Sequence, residues 1–412
     1  MQGFEKGPGF KNGLNSLAKD IDSNVITAGI VAAIFGLSAG VVHIGAGQAA
    51  GLTSNQIIAW VVSLFMINGL GGIIVPLYYK QPISVANSLP GAILFASLIP
   101  VFSLPEVLGA ALISGIIVLL LGITGTIKKV MQFLPAPIVL GMTGGVLLKF
   151  GLDMVKALSD AALPVLLMVA AYLLVSSYSK KFPGVLAAII VGIVVMLFQG
   201  VDMSGIGIVV DYPRFVTPAF SWGSIISFSI PFAVMVVGAE NAQAIGVLMG
   251  QGYKVPVNGM TIASGIGGIV SPLFGLHNTN IAGPMTAICA SEDAGEKDRR
   301  WVSAFIVGII WVIAAPFYGT VVEFLQVVPG YFISVIVGLG LIKVLVSCIG
   351  SSVGAATHKI GALFAFLIGA SGISFFNLGS PFWALVGGLV VSLILEREQF
   401  EFITNVKAVG QA

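Results

Sequence analysis

The chain has 412 residues, 57% hydrophobic and 9% charged, with a net charge of +2 when histidine is neutral and a mean hydropathy of +1.05. Soluble domains carry roughly a quarter charged residues, so this chain lacks the polar surface to face water all round, and its weak charge argues against nucleic acid as a partner. Its 53 glycines let helix backbones approach closely where lipid supplies no hydrophobic drive between helices.

Residues 1–23, with Lys6, Lys11, Lys19 and Asp20, are polar and show no apolar h-region, so they read as a cytoplasmic lead-in without a cleavable signal. A hydrocarbon core of ~30 Å takes about 20 apolar residues per helix. Cutting the apolar runs at charges, Pro and Gly clusters gives spans at 24–43, 55–78, 82–99, 105–125, 134–152, 162–178 and 183–200. After a connecting loop at 201–222, spans follow at 223–249, 256–274, 276–290, 301–323, 329–349, 359–376 and 380–396, with a cytoplasmic tail at 397–412. The expectation is an all-α polytopic membrane protein of about fourteen transmembrane helices, seven in 24–200 and seven in 223–396.

Lysine and arginine test that count, because cytoplasmic loops carry the positive excess. Fifteen of the nineteen fall on the side of the N-terminus, among them Lys80, Lys128, Lys129, Lys180, Lys181, Arg299, Arg300 and Lys407. Only Lys156 and Arg214 fall outside, while Lys149 and Lys343 lie within spans near their ends, where a long amine can snorkel. Both termini are therefore expected in the cytoplasm, and the bacterial inner (plasma) membrane is the expected location.

An offset of 194 residues lays Pro90 on Pro284, Pro135 on Pro329, Gly144 on Gly338 and Lys149 on Lys343. Seven spans per unit is odd, so the second unit enters from the opposite side. That is the inverted repeat of secondary transporters, whose sites lie where broken helices of the two halves meet. The third and tenth spans open on the polar stretches QPISVANSLPG and FGLHNTNIAGP. Proline suits a helix start and biases the preceding residue to extended backbone, and two such half-helix N-termini favour an anionic or electron-rich ligand.

Glu240, in VMVVGAENAQAIGVL, is the only carboxylate this far from a predicted boundary. An ionisable group at that depth is functional by default and can gain and lose a proton; the bland alternative is a protonated acid making a packing hydrogen bond. Asn241 and Gln243 cannot both share its direction. Val85, Ala86, Asn87, Asn278, Thr279 and Asn280 lie in the breaks, where they bind solute or satisfy freed backbone groups. His277 and His43 are candidate proton-relay members or satisfied interfacial side chains. The run from Glu292 to Arg300 reads as a solvated loop. Cys289 and Cys348 read as packed thiols with no metal or disulfide spacing. No cofactor or metal motif is present, and neither G-x-S-x-G, GxxxxGK[ST] nor H-E-x-x-H occurs, so the sequence gives no sign of an enzyme. Uphill transport then draws on an ion gradient, and one buried carboxylate makes the proton the economical choice.

The stretches AAGLTSNQIIAWVVSLFMINGLGGIIVPLYYKQPISVANSLPGAIL and GYKVPVNGMTIASGIGGIVSPLFGLHNTNIAGPMTAICASEDAGEKDRRW resemble the benzoate/proton symporter (BenE) family. That family's third-span pattern P-x-x-x-A-x-S-x-P-G-A is carried here by Pro82, Ala86, Ser88, Pro90, Gly91 and Ala92. The resemblance covers most of the chain and implies a fold shared with uracil permease and other nucleobase transporters. It has a core domain of spans 1–4 and 8–11 and a gate domain of spans 5–7 and 12–14, and a homodimer is left open. An eighth-span Glu contacts the base in the nucleobase relatives and is matched by Glu240, whereas their second Glu falls on Thr279. Benzoate-family members usually read Ser-Gln-Asn where this chain has Ala239, Glu240 and Asn241.

An ionised Glu240 repels a carboxylate unless it is protonated as the solute binds, which would couple the two. The expected function is proton-coupled symport of a small aromatic carboxylate such as benzoate. Glu240, Asn241, Val85–Asn87 and Asn278–Asn280 are expected to form the pocket, with Glu240 and His277 handling the proton. The alternatives are a nucleobase-like heterocycle/proton symporter and a passive anion channel. The expected partners are the solute, protons and the lipid bilayer.

Overall fold

A computed structural model describes residues 4–126, 135–178, 184–202, 207–373, 375 and 380–400. Lys128, Lys129, Lys180, Lys181 and Lys407 of the expected basic excess lie outside the described residues.

Almost everything described is helical. Helix α1 (Phe10–Asp20) is followed by α2 (Ser23–Ser38) and α3 (Gly40–Ala49), which run nearly end to end, and by α4 (Ser54–Tyr79). The extended pair β1 (Val85–Ala86) leads into α5 (Leu89–Leu98), then α6 (Leu104–Thr124), α7 (Ala136–Asp160), α8 (Ala162–Tyr178) and α9 (Gly184–Phe198). The long α10 (Trp222–Gly250) and α11 (Val257–Phe274) precede a second extended pair, β2 (Asn280–Ile281), and α12 (Gly283–Ala290). The chain closes with α13 (Trp301–Leu325), α14 (Gly330–Val353), α15 (Lys359–Ser371) and α16 (Ser380–Leu395). Among the described residues seven helices are long and apolar enough to cross a membrane, α14 qualifies as a bent pair, and five shorter apolar helices accompany them.

Local chemistry explains the helix starts. Asp22 accepts hydrogen bonds from the Asn24 and Val25 N–H groups and caps α2, and reciprocal capping boxes, Thr53 with Gln56 and Ser103 with Glu106, open α4 and α6. The prolines paired by the 194-residue offset play matching parts. Pro90 and Pro284 lie in the first turns of α5 and α12, and Pro135 and Pro329 precede α7 and α14 as their N-caps.

Packing sorts the helices into two groups. In one, α4 and α2 pack on α13, α6 packs on α11, and α10 packs on α12; in the other, α7 packs on α14 and α15, α15 on α16, and α8 on α9. The groups meet where α3, α5 and α10 touch α7, α14 and α16. Glycine makes the tight crossings possible. A Cβ on Gly308 of α13 would sit 2.6 Å from the Gly69 carbonyl oxygen and 2.6 Å from the Gly72 carbonyl carbon of α4. Backbone cannot yield as a side chain can, so Gly308→Ala is expected to lower stability by about 1–3 kcal/mol. Thermal unfolding in detergent checks this, with Gly246→Ala, where a Cβ meets nothing within 4 Å, expected to be neutral.

The charged run is not simply solvated. Arg300 is buried and donates to the Gly295 carbonyl from Nε and to the Ala290 carbonyl and Gln251 from its terminal nitrogen. The loop folds back on the bundle because the guanidinium has backbone oxygens to satisfy it. At the same end, Asp20 binds Lys80 Nζ at 3.0 Å and accepts from Trp301 Nε1 at 3.0 Å. Burial pushes the Asp20 carboxyl up, but hydrogen bonds from Ser16, Trp301 and Lys80, with the Lys80 charge, outweigh burial and hold it below the usual carboxylate range. A depressed carboxyl stabilises the fold above its unfolded-state range and loses that contribution as pH falls through the folded value. The melting-temperature gap between the wild type and Asp20→Asn is therefore expected to be full at neutral pH and to close on acidification below about pH 4.

Candidate functional site

Two short extended segments build the site. Residues 85–86 and 280–281 pair antiparallel, Val85 opposite Ile281 and Ala86 opposite Asn280, and the Ala282 N–H donates to the Ser84 carbonyl at 2.9 Å. This ladder satisfies backbone groups that no helix serves, and it brings the first turns of α5 and α12 together. Ser88 is the N-cap of α5, its Oγ accepting from the Gly91 N–H at 3.0 Å.

Glu240 reaches this cap from α10. It lies in a π-helical stretch, Val236–Asn241, one of two in α10 that flank Pro231. Such bulges recur at functional sites because they re-aim side chains. Its Oε1 accepts the Ser88 hydroxyl proton at 2.8 Å. As a whole residue Glu240 is half-buried, while Ser88 is fully buried. Ser88 is a hub: its N–H donates to Asn278 Oδ1 at 3.1 Å, and its carbonyl accepts from His277 Nε2 at 3.0 Å. With His277 Nδ1 accepting from Trp60 Nε1 at 3.3 Å, both ring nitrogens of His277 are used in its neutral Nε2–H form.

A second chain runs beside it. Ser271 Oγ donates to Thr279 Oγ1 (2.8 Å), Thr279 Oγ1 to Asn68 Oδ1 (2.5 Å) and Asn68 Nδ2 to Asn87 Oδ1 (3.3 Å). Asn87 Nδ2 then donates to His43 Nε2 (2.6 Å) and His43 Nδ1 to the Ala39 carbonyl (2.9 Å). Every donor points the same way, which fixes the amides and the His43 tautomer together. Asn241 Oδ1 accepts from Ser264 Oγ at 2.9 Å, and Ser264 Oγ accepts from the Ile281 N–H at 3.2 Å. At this site the buried amide atoms Asn241 Nδ2, Asn280 Nδ2 and Asn280 Oδ1 have no hydrogen-bond partner among the described residues. Between α5, α7 and α10 lies a void of about 10 Å³ lined by Pro90, Leu94, Met142, Thr143, Val146 and Met235, room for roughly one water.

The family profile described as benzoate membrane transport protein, BenE, matches residues 19–394. The chain belongs to the BenE family. It is 30% identical to the inner membrane protein YdcO of Escherichia coli K12, over 91% of this chain and 97% of that one. It is 26% identical to the benzoate membrane transport protein of Acinetobacter baylyi, over 93% and 98% of the two chains. Its fold is similar to the transmembrane domain of the cyanobacterial bicarbonate transporter BicA, with a TM-score of 0.61 at 16% identity, covering 90% of this chain and 96% of that one. SLC26A9 gives a TM-score of 0.61 at 17% identity, covering 89% and 64%. The protein is thus a membrane solute transporter of mostly helical fold, and its family is not an enzyme class.

In this family member the expected site residues separate. Glu240, Asn278 and His277 converge on Ser88, and Asn241 lies next to them on the π turn, against which β2 packs. Val85 does not join them. Side chains alternate across an extended segment, so Val85 packs with Val75, Tyr79, Leu248 and Ile281 and faces Gly71. Asn87 and Thr279 are likewise spent in the second chain. Lys149 and Lys343 are exposed, as snorkelling requires. The sequence reading gave Ser88 no role, although Ser followed by Leu-Pro-Gly is a helix-cap signature. Asn68 and Trp60 carried no local signal, because their partners are distant in sequence.

Proposed function

We propose that this BenE family member is a proton-coupled symporter of a small aromatic carboxylate such as benzoate, acting in a bacterial inner membrane with both termini cytoplasmic. The observation that carries the reading is the hydrogen bond from Ser88 to Glu240. One hydroxyl both caps the first turn of α5 and donates to a carboxylate deep in the bundle. A carboxylate solute is drawn to that helix end by its partial positive charge and is repelled by an ionised Glu240 close by. Protonating Glu240 removes the repulsion, so solute and proton bind together. Asn241, Ala86, Asn278 and Asn280 complete the pocket, and the satisfied His277 orients Ser88 without carrying the proton.

Fourteen spans in a seven-plus-seven inverted repeat, with the third and tenth broken, are the architecture of this reading. The matched prolines of α5 and α12 and of α7 and α14 support it. A core of spans 1–4 and 8–11 moving against a gate of spans 5–7 and 12–14 is supported by the two packing groups. The void between α5, α7 and α10 is too small for an aromatic ring, so the solute enters only when core and gate part. An open cleft of about 410 Å³ that includes Gln48, Leu52, Leu325 and Ile333 gives such an entry at the end away from α1. A homodimer is compatible with this arrangement.

The unpartnered amide atoms of Asn280 and Asn241 favour a second reading, a nucleobase-like heterocycle with its own donors and acceptors. A thermal-shift screen of purified protein against aromatic acids and nucleobases across pH separates the two. Stabilisation by benzoate that grows as pH falls supports the first, and stabilisation by a nucleobase alone replaces it with the second. Uptake into proteoliposomes that ignores an imposed proton gradient would support a passive anion channel instead.

A further inference from the structure

The residues before α2 form a strap across one end of the core group. The Glu5 carboxylate accepts from the N–H groups of Asn258 at 3.3 Å and Gly259 at 2.9 Å, at the start of α11. Gly9 N–H donates to the Tyr78 carbonyl at 3.0 Å. A Cβ at Gly13 would lie 2.3 Å from the Leu77 carbonyl oxygen, so α1 rests directly on α4. Asp20 closes the strap between Lys80 and Trp301.

The helix has three faces. At about 100° per residue, Gly13, Ser16, Leu17 and Asp20 share the side turned to the bundle, and none of them is exposed. Lys11, Asn15 and Lys19 occupy the side turned to water, all exposed. Between them runs a stripe of Phe10, Leu14 and, continuing the turn, Ile21, exposed by 46%, 59% and 45%. This stripe continues an exposed apolar surface of α4, a helix long and apolar enough to cross a membrane. Phe4 and Phe10 pack on Tyr78 with ring centroids 6.1 and 5.1 Å apart. Tyr78 in turn follows the exposed Leu70 and Ile74 along the membrane-crossing α4.

The geometry points to α1 as an in-plane amphipathic helix whose Phe10–Leu14–Ile21 stripe is buried in the headgroup boundary of an anionic leaflet, with Lys6, Lys11 and Lys19 meeting the headgroups. That this is the cytoplasmic leaflet rests on the orientation proposed above. Because the strap is bonded to α4, α11 and α13, any movement of the core group carries the stripe through the leaflet or breaks the Glu5 and Asp20 contacts.

The test labels Leu14→Cys and, separately, Asn15→Cys with an NBD fluorophore in the full-length protein. Each is reconstituted in phosphatidylcholine vesicles with and without phosphatidylglycerol, and the unlabelled background of the buried Cys289 and Cys348 is measured on the wild type. Brominated acyl chains are expected to quench position 14 about twofold or more over position 15. Phosphatidylglycerol is expected to deepen the quenching, except in the triple variant Lys6→Gln/Lys11→Gln/Lys19→Gln. Equal quenching at the two positions overturns the inference. Reaction of Asn15→Cys with a membrane-impermeant maleimide on intact cells would overturn the cytoplasmic orientation while leaving the contact with lipid standing.

Discussion

Glu240→Gln is expected to abolish proton-driven accumulation of the solute while leaving the protein folded. Glutamine keeps an oxygen to accept the Ser88 hydroxyl, so the α5 cap and the Ser88 contacts to Asn278 and His277 survive. What is lost is the titratable proton. In wild-type proteoliposomes uptake of a carboxylate should strengthen as pH falls, because protonated Glu240 no longer repels it. In Glu240→Gln the pH dependence should flatten, and an imposed proton gradient should no longer drive accumulation, a drop of at least about tenfold, equivalent to roughly 1.4 kcal/mol. Counterflow, which needs binding but no net proton movement, is expected to persist. Accumulation that stays proton-driven in this variant would move the coupling proton to another group and remove the central claim.

Ser88→Ala is expected to injure both halves of the coupling at once. It leaves the Gly91 N–H uncapped, at a cost of about 1 kcal/mol, and strips Glu240 of its donor, a buried acceptor costing about 1–3 kcal/mol when unpaired. Solute affinity should fall by about tenfold, and the pH midpoint of uptake should move. Ser88→Thr, which keeps a hydroxyl at the cap, should restore both. A merely structural role would lower the melting temperature and leave the pH midpoint in place, as Gly308→Ala is expected to do. Measuring the midpoint beside the melting temperature for the three variants therefore separates positioning from stability.

Much of this was legible along the chain. Predicted segments such as 55–78, 162–178, 223–249 and 380–396 fall within one or two residues of α4, α8, α10 and α16, of which α4 and α10 are long enough to cross a membrane and α8 and α16 are shorter apolar helices. Membrane-crossing length and apolar content are properties of a contiguous segment, so they need no knowledge of partners. The extended segments before Pro90 and Pro284 were readable for the same reason, since proline constrains its immediate neighbours. Glu240 stood out because an acid in an apolar run is rare whatever surrounds it.

Other features came only from tertiary structure. Ser88 meets Glu240 across 152 residues and Asn278 across 190, and no local pattern encodes which serine an acid will face. The exclusion of Val85 from the site followed from the register of a two-residue ladder, which assigns adjacent side chains to opposite faces. Arg300 looked solvated because it sits in a charged run, yet carbonyls brought near by folding, Gly295 and Ala290, bury it. By itself the sequence determined which segments form long apolar helices, because length and apolar content belong to each segment alone. Which polar groups share a hydrogen bond between them was decided by packing, because a buried donor or acceptor left unpaired is costly and its partner can come from anywhere in the chain.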